Sequence, residues 1–147
     1  MSRLTRSRWT HIALPSSDID RSVEWYTEFT PLVVVERFSD DDGRSAWLSN
    51  EGQVETPMIL VLVMFYKDQG KPQPQLAPFG HIGIELVSRE ELDDVAARAR
   101  EQGCLAMEPV ELPAPVGYIC MITDPDGNRI EMSHGQQVFD KVNELWG

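Results

Sequence analysis

Residues 79–105 read FGHIGIELVSREELDDVAARAREQGCL and contain two structural signals in succession. Apolar residues alternate with other residues over 81–86, as expected for a strand with one buried face. Ser88 then begins the capping-box pattern Ser-x-x-Glu, and Gly103 lies where a left-handed residue commonly ends a helix. The apolar stripe of this helix consists of Leu92, Val95, Ala96 and Ala99. The segment is therefore predicted to be a strand that leads into an amphipathic helix.

The same pattern occurs earlier in the chain, where residues 9–31 read WTHIALPSSDIDRSVEWYTEFTP. A short strand contains His11, helix-start chemistry follows at 17–20, and the apolar stripe consists of Ile19, Val23, Tyr26 and Phe29. His11 and His81 are 81 − 11 = 70 positions apart, and the predicted cap residues Ser17 and Ser88 are 88 − 17 = 71 apart. Both offsets are close to half of the 147 residues, which indicates an internal repeat.

Three strand-like runs follow each predicted helix, so each half has the order βαβββ. These runs cover 32–38, 44–49 and 57–65 in the first half, and 105–111, 117–122 and 128–133 in the second. The predicted fold class is α+β, with two βαβββ modules forming a curved mixed sheet around a cavity. A single domain over 1–147 would comprise module 1 at about 8–66, a linker at about 67–78, module 2 at about 79–135 and a C-terminal tail at 136–147.

An acidic residue occupies an unusual position in the last predicted strand. Asp-Pro-Asp-Gly at 124–127 is strong turn chemistry, and Glu131 follows it between Ile130 and Met132. A carboxylate inside a sheet must meet a cation, a hydrogen-bond donor or water, because an unpaired buried charge is too costly.

Three residues are predicted to converge on the polar face of the modules. The period of two places His81, Glu85 and Glu131 on faces opposite the apolar core, and the repeat places His11 at the position equivalent to His81. Two imidazoles and one carboxylate match the facial arrangement that binds a divalent metal and leaves positions open. The ordinary alternative is that each histidine is a packed core or surface residue. His134 falls on the opposite face and is interpreted as structural, while Glu85 is a candidate general base.

Composition excludes several classes of function. The 24 Asp and Glu against 13 Lys and Arg give a net charge of −11, which repels nucleic acid and anionic lipid. The longest apolar run, residues 58–65, is far shorter than the ~20 residues of a membrane span, and the N-terminus lacks the apolar stretch of a signal peptide. We therefore expect a cytoplasmic protein without a nucleic-acid or membrane partner. Cys104 and Cys120 form no metal-binding motif and are interpreted as buried, reduced thiols.

The layout resembles the vicinal oxygen chelate superfamily, which includes glyoxalase I, extradiol dioxygenases, fosfomycin-modifying enzymes and bleomycin-binding proteins. The resemblance rests on HIALPSSDIDRSVEWYTEF at 11–29, GHIGIEL at 80–86 and DPDGNRIEM at 124–132. It implies that His11, His81 and Glu131 are metal ligands.

The sequence departs from several members of that superfamily. The fourth ligand of glyoxalase I has no counterpart, because subtracting the repeat offset from Glu131 leads to Val61 or Leu60. The active-site tyrosine of the ring-cleaving enzymes is also missing, since Tyr118 lies too early in its strand.

The expected function is that of a metal-dependent enzyme acting on a small vicinal-oxygen substrate, with dioxygenase-like chemistry favoured. A glyoxalase-like lyase or isomerase and a non-catalytic drug-binding protein are the alternatives. Fe(II) is the favoured cofactor, with Zn(II), Ni(II), Mn(II) or Mg(II) as other divalent ions. Family habit suggests a homodimer.

Overall fold

The computed structural model describes residues 6–55 and 58–147. The chain forms two compact units, Met1–Pro74 and Gln75–Gly147. Each unit contains a four-stranded mixed sheet, and three α-helices are present in the described residues. The predicted α+β class and the βαβββ repeat are confirmed. The division between the units falls inside the predicted linker.

The first unit follows the predicted order of elements. Its elements are β1 (His11–Pro15), α1 (Ile19–Phe29), β2 (Leu32–Ser39), β3 (Gly43–Asn50) and β4 (Ile59–Phe65), followed by a 3-10 turn at Tyr66–Asp68. The sheet order is β1-β4-β3-β2, in which β1 and β4 are parallel and the other neighbours antiparallel. The predicted start of the last strand at Pro57 lies outside the described residues.

The second unit repeats this arrangement. It contains β5 (His81–Glu85), α2 (Arg89–Glu101), β6 (Leu105–Leu112), β7 (Gly117–Thr123), β8 (Arg129–His134) and α3 (Val138–Trp146). The sheet order is β5-β8-β7-β6, again with one parallel pair, β5 and β8. Residues 136–147, which the sequence analysis treats as a tail, contain the additional helix α3.

Local chemistry explains where the first two helices begin. The Asp18 side chain accepts a hydrogen bond from Arg21 N at 3.1 Å, and Ser88 Oγ accepts one from Glu91 N at the same distance. The prediction that Ser17 caps α1 is therefore wrong by one residue, because the adjacent carboxylate is the acceptor. The true cap offset, 88 − 18 = 70, equals that of the two histidines. Gly103 has a φ of 77°, which confirms the predicted left-handed end of α2.

The core of each unit lies between its helix and one face of its sheet. All four residues of the predicted α1 stripe and all four of the α2 stripe are buried. In β8, Ile130 and Met132 are completely buried, as the period of two predicts. Burying such side chains stabilises a fold by about 1.5–3 kcal/mol each. The helix-facing sheet residues are thus committed to packing, and the opposite faces remain available for other roles.

Strand register identifies the position in the first unit that is equivalent to Glu131. Glu131 is paired with Gly83, two residues after His81, and Val61 is paired with Ala13, two residues after His11. The equivalent residue is therefore Val61 rather than Leu60. Its side chain has no atom that can bind a metal, as the sequence analysis expected for this position.

Among the described residues, no helix combines the length and the apolar character that crossing a membrane requires.

Candidate functional site

The centre of the candidate site in the second unit is a pair of side chains on neighbouring parallel strands. His81 is the first residue of β5, and Glu131 is in β8, two residue pairs further along the register. Their side chains approach with 3.6 Å between His81 Nε2 and Glu131 Oε2. This distance exceeds the usual limit of about 3.2 Å for a hydrogen bond between nitrogen and oxygen. The two groups therefore face one another without bonding directly.

The orientation of the His81 ring is set by a backbone carbonyl. Its Nδ1 lies 2.9 Å from Phe79 O. A carbonyl oxygen can only accept a hydrogen bond, so Nδ1 carries a proton, and in a neutral ring Nε2 then carries the lone pair. This is the usual arrangement of a metal-binding histidine, in which the second nitrogen donates to a carbonyl or carboxylate.

Glu131 is held in a comparable way on its other side. Glu131 is only 8% exposed, and its Oε1 accepts a hydrogen bond of 2.9 Å from Gln136 Nε2. Its Oε2 is the oxygen that faces His81. With a neutral imidazole, both facing atoms are acceptors, and such a pair is stabilised by a cation placed between them.

The separation of the two acceptors suits a shared metal ion. Two ligand atoms bound at about 2.1 Å to one ion lie about 3.0 Å apart at right angles and about 3.4 Å apart at the tetrahedral angle. The observed 3.6 Å requires only a small side-chain adjustment to reach that range. Imidazole and carboxylate together are a common ligand combination for divalent transition metals.

An open pocket of about 570 Å³ lies next to this pair, within the second unit. Its lining consists of His81, Gly83, Pro115, Val116, Glu131, Gln136, Gln137, Val138 and Lys141. A Cβ added at Gly83 would meet no atom within 4 Å, so this glycine leaves space beside Glu131, its partner in the strand register. The pocket therefore has room for a small molecule beside the two acceptor atoms.

The other predicted site residues have the following positions. His11 is exposed at the start of β1 in the first unit, with its Nδ1 2.8 Å from Thr10 Oγ1. Glu85 is exposed at the end of β5, and it does not line the pocket beside His81. His134 Nδ1 donates a hydrogen bond to Leu86 O at 3.0 Å, in agreement with a structural role.

Within residues 6–55 and 58–147, no group of three or more His, Cys, Asp or Glu side chains is arranged to hold a metal ion. The structure brings together His81 and Glu131 of the predicted set.

Tyr118 lies on the helix-facing side of its sheet. Its hydroxyl donates to the Asp93 carboxylate of α2, and the Arg89 guanidinium stacks on its ring at 3.7 Å from the centroid. The hydrogen bond to Asp93 is the main reason that the pKa of Tyr118 is raised. In β7, Met121 is paired with Glu131 and shares its face, whereas Tyr118 is paired with His134. Tyr118 is thus directed away from the His81–Glu131 pair.

A buried network fixes the turn that precedes Glu131. Asp124 Oδ1 accepts hydrogen bonds from the backbone N–H groups of Asp126 and Asn128, and Gly127 takes the left-handed φ of 92° that the turn requires. Asn128 Nδ2 donates to Asp124 Oδ2 at 3.0 Å, and Asn128 Oδ1 accepts from Leu76 N at 2.9 Å. The last bond ties the turn to the segment that leads into β5. Asn128 thereby connects the strands that supply His81 and Glu131.

Sequence reasoning did not identify Asn128 or Gln136 as contributors to the site. The position of Asn128 directly after the Asp-Pro-Asp-Gly turn was a usable signal, because short polar side chains bond to nearby backbone in such turns. No comparable signal marks Gln136. It belongs to neither a periodic pattern nor a motif, and only the fold brings it to Glu131.

Comparisons with known proteins agree with this architecture. The family model for the Glyoxalase/Bleomycin resistance protein/Dioxygenase superfamily matches residues 8–132. An uncharacterized protein of Pseudomonas aeruginosa, PA2024, is 36% identical over 128 residues, which cover 86% of this chain and 88% of that protein.

Solved structures give the same picture of the fold. The trypanothione-dependent glyoxalase I of Leishmania major aligns with a TM-score of 0.72 and 21% identity, covering 95% of both chains. TnmS3, an antibiotic-binding protein from Streptomyces sp. CB03234, aligns with a TM-score of 0.62 and 21% identity, covering 90% of this chain and 98% of that one. At these identities the likeness establishes a shared fold, on which both catalysis and binding occur.

Proposed function

The chain belongs to the Glyoxalase/Bleomycin resistance protein/Dioxygenase superfamily, and on this basis we propose that it is a metal-dependent enzyme acting on a small substrate with two neighbouring oxygen atoms. The observation that carries the proposal is the pair of acceptor atoms, His81 Nε2 and Glu131 Oε2, that face each other at 3.6 Å beside a pocket. Each is oriented by a hydrogen bond on its far side. Facing acceptors oriented in this way favour a divalent cation.

His81 and Glu131 are two of the three proposed ligands, and His11 is the third. The assignment of His11 rests on the repeat, because His11 and His81 are each the first residue of the strand that pairs in parallel with the last strand of its sheet. Val61 occupies the place equivalent to Glu131, so the proposed set has three protein ligands rather than four. Such a set leaves coordination positions free for a substrate.

A divalent ion bound here would supply Lewis-acid chemistry or, as Fe(II), chemistry with molecular oxygen. We favour Fe(II) and a dioxygenase-like reaction, because two histidines and one carboxylate are the ligand set typical of non-haem iron oxygenases. The protein's own contribution is to hold the imidazole and carboxylate in fixed orientations and to leave space at Gly83 for the substrate. Glu85 is the proposed general base, because the period of two places it on the same face of β5 as His81 and Gly83.

A glyoxalase-like lyase or isomerase is the second candidate. It is favoured by the position of Tyr118, whose hydroxyl is engaged by Asp93 on the helix side of the sheet. A tyrosine in that position cannot serve as a proton donor at the His81–Glu131 pair. A lyase or isomerase using Zn(II), Ni(II), Mn(II) or Mg(II) needs neither oxygen nor this tyrosine.

A third candidate is a protein that binds a small molecule without converting it. Pro115, Val116 and Val138 form an apolar wall of the pocket. Lys141 is the only lysine or arginine among the residues that line the pocket. Such a wall suits a small organic ligand. The His81–Glu131 pair still favours the enzyme, because a purely sequestering pocket has no need for two facing acceptors.

We also propose that the chain forms a homodimer. The apolar residues of α3, Val138, Phe139, Val142, Leu145 and Trp146, are 41–81% exposed. An apolar helix face of this kind marks an interaction surface. Light scattering coupled to size-exclusion chromatography is expected to give the mass of two chains, whereas Val142→Glu should shift the mass toward one chain.

Metal analysis tests the central proposal. Protein purified anaerobically without added ions is expected to contain up to one divalent ion per chain. His81→Gln and Glu131→Gln should lose it, because each removes one ligand atom. The matched control is His134→Gln, on the opposite face of β8, which should retain the metal. Equal metal content in His81→Gln and wild type, with both proteins folded, would contradict the proposed site.

An oxygen electrode separates the candidate reactions. Anaerobically Fe(II)-loaded protein is mixed with a panel of catechols and α-oxo thiohemiacetals, and oxygen uptake is followed. Uptake that depends on Fe(II) and is absent from Glu131→Gln supports the dioxygenase. Turnover without oxygen, supported by Ni(II) or Zn(II), would replace it with the lyase or isomerase. Binding without turnover under all these conditions would identify a sequestering protein.

A further inference from the structure

We infer that Gln136 is a positioning residue for the metal site: its side-chain amide holds Glu131 so that one carboxylate oxygen faces His81. This inference rests on the proposed function, because it concerns the affinity of the same site for its ion. Gln136 lies between β8 and α3, outside the strands that supply the proposed ligands. It touches a ligand rather than the ion or the substrate.

The two carboxylate oxygens of Glu131 have different neighbours: Oε1 accepts a hydrogen bond from Gln136, and Oε2 faces His81. Gln136 Nε2 donates to Glu131 Oε1 at 2.9 Å and to the backbone oxygen of Val116 at 3.3 Å. An amide nitrogen carries two protons, so it can serve both acceptors at once. Oε1 is therefore occupied, and Oε2 remains directed at His81 Nε2. A carboxylate without this donor can rotate and exchange the roles of its oxygens.

Gln136 is itself held in place by two hydrogen bonds between its segment and one hairpin. Its amide reaches Val116, in the hairpin between β6 and β7, and the backbone N–H of Gln137 donates to Pro115 O at 3.0 Å in the same hairpin. Gly135 takes a left-handed φ of 74°, which turns the chain from β8 toward that hairpin. These contacts fasten the segment that carries Gln136, so that the donor is in position before any ion binds.

The size of the expected effect follows from the behaviour of comparable residues. Removal of a group that hydrogen-bonds to a metal ligand typically lowers the metal affinity about 10–100-fold. Gln136 makes one such bond, to a ligand that is 8% exposed. Water reaches a ligand of this kind poorly and replaces the lost donor only in part. We therefore expect the affinity for a divalent ion to fall about 10-fold or more on removal of the amide.

Calorimetric titration of metal-free protein with Co(II) tests this inference, with the visible spectrum of bound Co(II) as a second readout. Gln136→Leu and Gln136→Met both remove the donor and keep a side chain of similar size. Both are expected to weaken Co(II) binding about 10-fold or more and to alter the spectrum, because the carboxylate is less constrained. Gln137→Leu and Gln137→Met are matched controls, since Gln137 lines the same pocket and should leave Co(II) affinity within about twofold.

The outcomes distinguish this inference from the proposed function. Unchanged Co(II) affinity and spectrum in both Gln136 variants, with a wild type that binds Co(II), would refute the role of Gln136 and leave the metal site standing. Absence of Co(II) binding by the wild type would refute both. Equal weakening in the Gln136 and Gln137 variants would show a general disturbance of the pocket and would also refute the inference. Thermal unfolding of each variant confirms that the compared proteins are folded.

Discussion

Asn128→Ala should destabilise the second unit through the loss of two buried side-chain hydrogen bonds. Asn128 is 1% exposed, its Oδ1 accepts from Leu76 N, and its Nδ2 donates to Asp124 Oδ2. Loss of the partner of a buried N–H costs about 1–3 kcal/mol, and loss of a bond to a charged group costs about 1.5–3 kcal/mol. Because Leu76 is only half-buried, the lower values apply, and the sum is about 2.5 kcal/mol.

Urea and thermal unfolding measure this effect. For a chain of this size, about 2.5 kcal/mol corresponds to a fall in Tm of about 5–10 °C. The matched control is Asn50→Ala, since Asn50 makes an exposed side-chain bond to Gln53 and should lose no more than about 0.5 kcal/mol. Equal losses in the two variants would contradict this prediction, because the larger cost at Asn128 is attributed to the burial of its polar groups.

A second substitution at the same position isolates one of the two bonds. Asn128→Asp keeps an oxygen that can accept from Leu76 N but replaces the amide donor with a carboxylate facing Asp124. Like charges at this distance repel, and protonation at lower pH relieves the repulsion. Asn128→Asp should therefore be more destabilised relative to wild type at pH 8 than at pH 5. A destabilisation independent of pH would contradict the assigned contact.

Three further predictions concern the pocket, the register and the thiols. Gly83→Leu should be tolerated by the fold, because a Cβ at this position meets no atom within 4 Å, but should weaken catechol binding to metal-loaded protein at least about 10-fold by filling the pocket. Leu60→Glu should lower the free energy of unfolding by several kcal/mol because Leu60 is 7% exposed, whereas Val61→Glu should be better tolerated and should strengthen Co(II) binding in calorimetry. A thiol reagent at pH 8 should modify Cys104 but spare Cys120, which is completely buried and has a pKa raised to about 11 by burial; urea should expose both.

Composition and periodicity were sufficient to predict the fold of each unit. The helical stripes of α1 and α2 and the alternation in β8 are local patterns, and each was buried as its pattern predicted. The repeat was equally visible, because duplicated units carry the same residue types at a constant offset. Two local features differed: the predicted tail contains the helix α3, and α1 is capped by Asp18 rather than Ser17. The cap could not be chosen from the sequence, since a serine and an aspartate lie side by side and either can accept the bond.

The sequence alone also drew attention to His81 and Glu131, through their positions on the polar faces of predicted strands. It could not determine the distance between their side-chain atoms, because this distance depends on the parallel pairing of β5 with β8. These two strands are separated by the 43 residues between Glu85 and Arg129. The sequence left Val61 and Leu60 as alternatives, and the register selected Val61. Gln136 and Asn128 reach the site through hydrogen bonds between segments that no local pattern connects. Local pattern therefore determined the elements and their faces, while the long-range packing of the chain decided which polar atoms stand within bonding distance.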